Sequence, residues 1–264
     1  MNKTHFDQII ANYIDKFADL NSPATGQDET YKWRIAKQFK PKMDAALTAS
    51  DEELSKALLS LRQLTYNLID STTLPLTALS EYAKHEPSTV RQMFLDLYSE
   101  DNGNLDMRMI KIVDFLEIEE ELRKKYYPTS WKFKNSVHSV TCYQTLYDPD
   151  HNYILKPSHC KKFADCIEFF DSWGCGTNTK LSVFYRMCDQ VVNYIRENDA
   201  LMKIHSSRYE MSPPDSLHPD AALHILAFDI IYCCSTFDLF HGITFNPAPN
   251  PKQLELQKEL KKRQ

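Results

Sequence analysis

The stretch that decides the fold runs from Ser136 to Pro157, S-V-H-S-V-T-C-Y-Q-T-L-Y-D-P-D-H-N-Y-I-L-K-P. It is rich in Val, Thr and Tyr, residues that suit a pleated, half-buried surface. Asp148-Pro149-Asp150-His151 in its middle has turn chemistry. Val137–Tyr143 and Tyr153–Leu155 therefore read as the two arms of a β-hairpin at about 136–157. Everything around this stretch reads as helix. The expected fold is mainly α, a multi-helix domain with that one inserted hairpin.

Outward toward the N-terminus, Phe6, Ile9, Ile10, Tyr13, Ile14 and Phe17 keep the spacing of one buried helical face. Tyr31, Ile35 and Phe39 begin a short helix expected to stop at Pro41. Ser50 and Glu53 form a capping box ahead of Leu54, Leu58, Leu61, Leu64 and Leu68. Pro75 and Pro87 suit first helical turns, and Leu105–Tyr126 is long and ends in charge. Toward the C-terminus, helices are expected from about Cys160 to Trp173, from Lys180 to Asn198, and from Pro219 to Phe240. The last is apolar nearly all round and reads as the central core helix. The expected organisation is an N-terminal helical lobe over 1–127, the hairpin plus a C-terminal helical lobe over 128–246, and a charged linker or tail over 247–264. The two lobes read equally well as one continuous domain.

Composition excludes several classes. The 264 residues include 42% apolar and 25% charged side chains, with 14 Phe and 14 Tyr, which is globular rather than disordered. There are five glycines, against about 18 at the usual ~7%. Phosphate cradles need clustered glycines, and neither a P-loop nor G-x-G-x-x-G occurs; G-x-S-x-G is also missing. No apolar run reaches membrane-spanning length, and the opening M-N-K-T-H-F-D-Q-I-I lacks a signal-peptide core, so a cytoplasmic, membrane-free chain is expected. Seven cysteines at irregular spacing read as reduced thiols. His138 and Cys142 on a strand would lie roughly 13 Å apart, and no C-x2-C pair exists. Neither a metal nor a cofactor is expected, and no catalytic motif is recognisable.

Two local patches depart from the net charge of −5. Residues 31–42 carry Lys32, Arg34, Lys37, Lys40 and Lys42 with no acid, and Trp33 sits among them. Between Arg123 and Lys162 lie Lys124, Lys125, Lys132, Lys134, Lys156, Lys161 and Lys162, with Trp131 interleaved. Cations neutralise phosphates and aromatic faces stack bases. The expected nucleic-acid-binding set is thus Lys32, Trp33, Arg34, Lys37, Lys40, Lys124, Lys125, Trp131, Lys132, Lys134, Lys156, Lys161 and Lys162. The competing expectation is a helical protein-interaction module linking a sensor to an effector. It rests on the acidity of residues 1–127, with 16 basic and 21 acidic side chains, against 15 and 15 in 128–264. A third is an enzyme built around Cys142, His151 and His159.

E-T-Y-K-W-R-I-A-K-Q-F (Glu29–Phe39), V-R-Q-M-F-L-D-L-Y (Val90–Tyr98) and Y-D-P-D-H-N-Y-I-L-K (Tyr147–Lys156) resemble the N-terminal helical domains of McrB-type AAA+ GTPases. The resemblance is scattered over residues 5–160 and fades toward 240. It implies a non-catalytic recognition module of a DNA-restriction, phage-defence system. It also implies DNA, an AAA+ motor on the same or a separate chain, and a nuclease subunit as partners. The GTPase activity itself is not implied, because the phosphate-binding loop is absent.

Overall fold

A computed structural model describes residues 1–22, 26–65, 68–69 and 72–248. Of the expected tail at 247–264, everything beyond Ala248 lies outside the described residues. The fold is mainly helical, with 66% of residues in helices, eleven α-helices and no strand among the described residues. They are α1 (Lys3–Leu20), α2 (Tyr31–Thr48), α3 (Asp51–Thr65), α4 (Pro75–Ala83), α5 (Pro87–Tyr98) and α6 (Leu105–Tyr126). Then follow α7 (Val137–Tyr147), α8 (Pro157–Cys166), α9 (Leu181–Arg196), α10 (Asp199–Glu210) and α11 (His224–Thr236).

The inserted hairpin is not supported, and the reason is local. Val137–Tyr147 is helix α7, opened by a capping box in which Ser136 Oγ accepts from Ser139 N and Ser139 Oγ accepts from Ser136 N. Every residue from Val137 to Leu146 is buried, because α2, α5 and α6 all pack on α7. A helix covered on all sides has no polar face, so its sequence carries no 3.6-residue period to read. Tertiary packing then overrides the modest β preference of Val and Thr. The threonine hydroxyls are satisfied within the helix: Thr141 donates to the His138 carbonyl at 2.9 Å and Thr145 to the Thr141 carbonyl at 2.8 Å. The other arm, Tyr153–Leu155, runs along α7. The Leu155 N–H donates to Thr141 Oγ1 at 3.2 Å, and its carbonyl meets His138 Nδ1 at 3.0 Å. Helical geometry also brings His138 and Cys142 together, with Nδ1 to Sγ at 3.7 Å. The strand spacing had put them far apart.

Further boundaries differ from expectation: α11 spans His224–Thr236 rather than Pro219–Phe240, and α10 fills Asp199–Glu210, a stretch with no expected helix. Pro41 lies inside α2, which continues to Thr48. The helix after Pro157 ends at Cys166 rather than Trp173.

The helices form two interleaved groups. In one, α3 packs on α2 and α4, and α5 on α4, α6 and α7; in the other, α1 packs on α10 and α11, and α11 on α8 and α9. Contacts of α2 with α11 and of α6 with α9 join them, and the buried apolar side chains make one continuous core.

Asp220 holds the start of α11 against α2. Its carboxylate accepts from Ile225 N at 3.0 Å, Leu226 N at 2.9 Å and Trp33 Nε1 at 3.1 Å. Burial raises its pKa to about 7, although these three donors pull it down. The folded chain therefore keeps a proton that the unfolded chain releases near pH 4. The stability contributed by that proton is present below pH 4 and lost as pH rises through 7. Asp220→Asn removes the titration and tolerates the positive φ of 49° at this position. The expected outcome in urea titrations is that the wild type loses stability relative to the variant between pH 5 and 7.5. A stability difference that stays constant over that range would count against the assignment.

Candidate nucleic-acid interface and the buried ionic centre

Placing the thirteen expected contact residues begins with α2, which packs against α3, α5, α7 and α11 and is therefore buried on more than one face. That burial takes Lys32 and Trp33 out of the expected nucleic-acid set, since Lys32 is 2% exposed and Trp33 0%. Neither side chain reaches solvent, let alone a phosphate or a base.

Lys32 instead sits at the centre of a buried ionic cluster. Its ammonium pairs with Glu29, one turn back, and with Asp229 of α11. Tyr13 of α1 donates to Asp229 Oδ2 at 2.6 Å. Arg208 of α10, fully buried, donates to Tyr13 Oη at 2.8 Å and to Thr30 Oγ1 at 2.9 Å. Its guanidinium lies 3.8 Å from the centroid of the Trp33 ring. Burial alone would push the Asp229 carboxyl up, but Lys32 and Arg208 beside it hold it below its ordinary value. Burial would likewise depress Lys32, and Asp229 keeps it raised and charged. Ligand atoms of Glu29, Asp229 and Cys233 lie within 4.8 Å of one another. This is the donor spacing of a cation site, and the Lys32 ammonium already pairs with both carboxylates there.

Arg34, Lys37 and Lys40 of α2 reach solvent but are matched. Arg34 pairs with Asp28, Lys37 with Asp215 at 2.6 Å, and Lys40 with Asp44 at 3.1 Å while lying 3.9 Å from the Tyr147 ring centroid.

The second patch divides between two places in the fold. At the end of α6, Lys124 faces Glu120 at 3.6 Å and Lys125 pairs with Glu86 at 2.6 Å. The loop that follows is pinned on both sides: Arg123 donates to the Ser130 carbonyl at 3.0 Å, Tyr82 to the Phe133 carbonyl at 2.8 Å, and Lys134 N to the Thr73 carbonyl at 3.1 Å. Trp131 projects from this loop 68% exposed, with the Lys132 ammonium 5.2 Å from its ring. At α8, Lys156 lies 5.0 Å from the Tyr232 ring and Lys162 5.0 Å from the Phe240 ring, while Lys161 pairs with Asp165 at 2.5 Å. Burial, then Lys156 and Lys162, depress the His159 imidazole to about 4, so it is neutral at pH 7.

The thiol and imidazoles of the enzyme expectation are dispersed. Cys142 is fully buried, which pushes its thiol up and away from nucleophilic character. His151 is exposed and bonded to Asp148 at 2.9 Å. His159 is on α8.

A cleft of about 660 Å3, lined by residues that include Tyr98, Arg108, Tyr147, Asp148, His151 and Asp189, was not anticipated from the sequence. Arg108 is 7% exposed, forks onto Asp101 at 2.7 and 2.8 Å, and donates to the His151 carbonyl at 2.8 Å. An arginine one residue before Met109 on the buried side of α6 was the available signal. No family model, curated protein or solved structure matches this chain.

Removing the Lys32 ammonium leaves the buried Glu29 and Asp229 carboxylates without their shared partner, a class of change that costs about 3–5 kcal/mol. Lys32→Met is expected to lower urea-unfolding stability by that amount. Arg34→Met, which breaks an exposed pair, is expected to cost about 0–1 kcal/mol. Equal costs for the two would contradict an interior role for Lys32.

Proposed function

We propose that the chain is a non-catalytic recognition module of a DNA-restriction, phage-defence system, contacting nucleic acid at the α6–α7 loop. The observation that carries this reading is Trp131, a large aromatic side chain 68% exposed on a loop held by three hydrogen bonds and flanked by Lys132 and Lys134. A pinned loop presents the indole with little ordering cost. Stacking on an exposed base is worth roughly 1–3 kcal/mol. Lys124 and Lys125 extend the surface, since exposed pairs such as theirs are worth at most about 1 kcal/mol and a phosphate competes with them. Lys156, Lys161 and Lys162 provide a second contact region on α8.

The likeness to McrB-type front domains supplies the proposed setting: a cytoplasmic complex with an AAA+ motor and a nuclease subunit. No described helix is long and apolar enough to cross a membrane. A second reading, a protein-interaction module that binds no nucleic acid, is favoured by the pairing of Arg34, Lys37, Lys40, Lys124, Lys125 and Lys161 with neighbouring carboxylates.

The test is fluorescence anisotropy against plain and cytosine-methylated duplex, single-stranded DNA and RNA at two salt concentrations. Trp131→Ala is expected to weaken binding to the preferred ligand by about tenfold, and Lys132→Glu with Lys134→Glu to reduce the log–log salt slope by about 1.4–1.8, the loss of two phosphate contacts. No binding at low salt by the folded chain, or binding indifferent to all three changes, would transfer the proposal to the protein-interaction reading.

A further inference from the structure

The outer face of α6 carries two kinds of side chain at helical spacing. Met107 and Ile110 are 46% and 49% exposed, and Asp114, Glu117 and Glu121 continue the same line by steps of three and four residues. Beside them a groove of about 330 Å3 opens between α5 and α6, with Met93, Phe115 and Ile118 as its apolar lining and Asp96, Asp114, Glu117 and Glu121 as its acidic rim. Among the described residues, none of these four carboxylates has a lysine or arginine at ion-pair distance. The one cation in the groove is engaged elsewhere: Lys111 donates to the Ser99 carbonyl and faces Asp101 at 3.9 Å. By contrast, Glu81, Glu86, Glu120, Asp44 and Asp165 each have a basic side chain at ion-pair distance.

The geometry points to the α5–α6 groove as a docking site for a basic amphipathic helix of a partner protein. Lysines or arginines of that helix would meet Asp96, Asp114, Glu117 and Glu121, and its apolar stripe would cover Ile118, Met107 and Ile110. Helix-in-groove recognition uses this combination of apolar anchors at three- and four-residue spacing with a complementary rim. Charge complementarity selects the occupant. Unneutralised carboxylates repel a nucleic-acid backbone, and they disfavour a second copy of a chain whose net charge is −5. The inference is independent of the Trp131 loop, which lies beyond the other end of α6, so the failure of one leaves the other standing.

The experiment uses the full chain and a fluorescein-labelled helical peptide of about 15 residues, with Leu on one face and Lys flanking it at three- and four-residue spacing. A peptide of identical composition, scrambled to abolish the stripe, is the control. The expected result is saturable binding of the amphipathic peptide, at least about tenfold tighter than the scrambled one and weakened by salt. Asp114→Lys with Glu117→Lys is expected to reduce affinity by about tenfold or more. Glu197→Lys with Glu210→Lys, an equal charge change at exposed positions on and beside α9 and α10, is expected to leave it within about twofold. Ile110→Ser separates the apolar contribution and is expected to weaken binding without changing the salt dependence; circular dichroism verifies that each variant is folded. Equal binding of the two peptides, or equal weakening by the two charge-reversal pairs, would overturn the proposal. So would a concentration-dependent dimer of the chain alone, seen by sedimentation and dispersed by Asp114→Lys with Glu117→Lys, because the groove would then belong to a second copy.

Discussion

The contact on which the rest of the structure depends is the pairing of the Lys32 ammonium with Asp229 and Glu29, out of reach of water. Withdrawing each ion from solvent costs several kcal/mol, which the interior offsets only through mutual attraction and full hydrogen bonding. The cluster approaches that condition, with Arg208 Nε left without a partner among the described residues, by drawing on four helices: Tyr13 from α1, Lys32 from α2, Arg208 from α10 and Asp229 from α11. Any displacement of one helix along another would strand a charge. The pairing therefore fixes register between helices that apolar packing alone would allow to slide, and Asp220 extends the same constraint from the Trp33 indole to the first turn of α11.

Because α2 is committed to this centre, its cations are poor material for an outside ligand. Lys32 is consumed by the interior, and Arg34, Lys37 and Lys40 are balanced by Asp28, Asp215 and Asp44. Two groups of unmatched side chains lie around α6. Beyond its C-terminal end, Trp131, Lys132 and Lys134 stand on a pinned loop. Along its outer face, three carboxylates and two exposed apolar side chains flank a groove that Asp96 of α5 closes on the other side. One helix thus carries surfaces of opposite character, suited to a phosphate backbone at one place and a basic protein segment at the other. On the proposed reading, these are the separate surfaces with which the module would meet a nucleic acid and a protein partner.

Amphipathic helices were legible in the sequence because one face meets solvent. α1 buries Phe6, Ile9, Ile10, Tyr13 and Phe17, and α9 buries Leu181, Phe184, Cys188, Val191 and Ile195, as their spacing predicts. The prolines at 75 and 87 open α4 and α5 as expected. Helix α7 was illegible for the complementary reason: with Val137–Leu146 buried on every side, its period vanishes and its Val and Thr content suggests a strand. The site was harder still. A run of five cations without an acid in 31–42 looks like an exposed patch. Their partners Asp28 and Asp44 lie just outside that window, and Asp215 and Asp229 lie far away in sequence. Sequence proximity reports neither burial nor pairing across nearly 200 residues. Trp131, by contrast, is 68% exposed in the loop between α6 and α7.

The most direct test of this account is site-resolved lysine reactivity, by brief reductive methylation of the native chain and peptide mass spectrometry. The account predicts that Lys32 stays unmodified until the protein unfolds, while Lys132 and Lys134 react rapidly in the native state. Modification of Lys32 at the rate of Lys132 in the folded protein would contradict the buried ionic centre and return α2 to the surface.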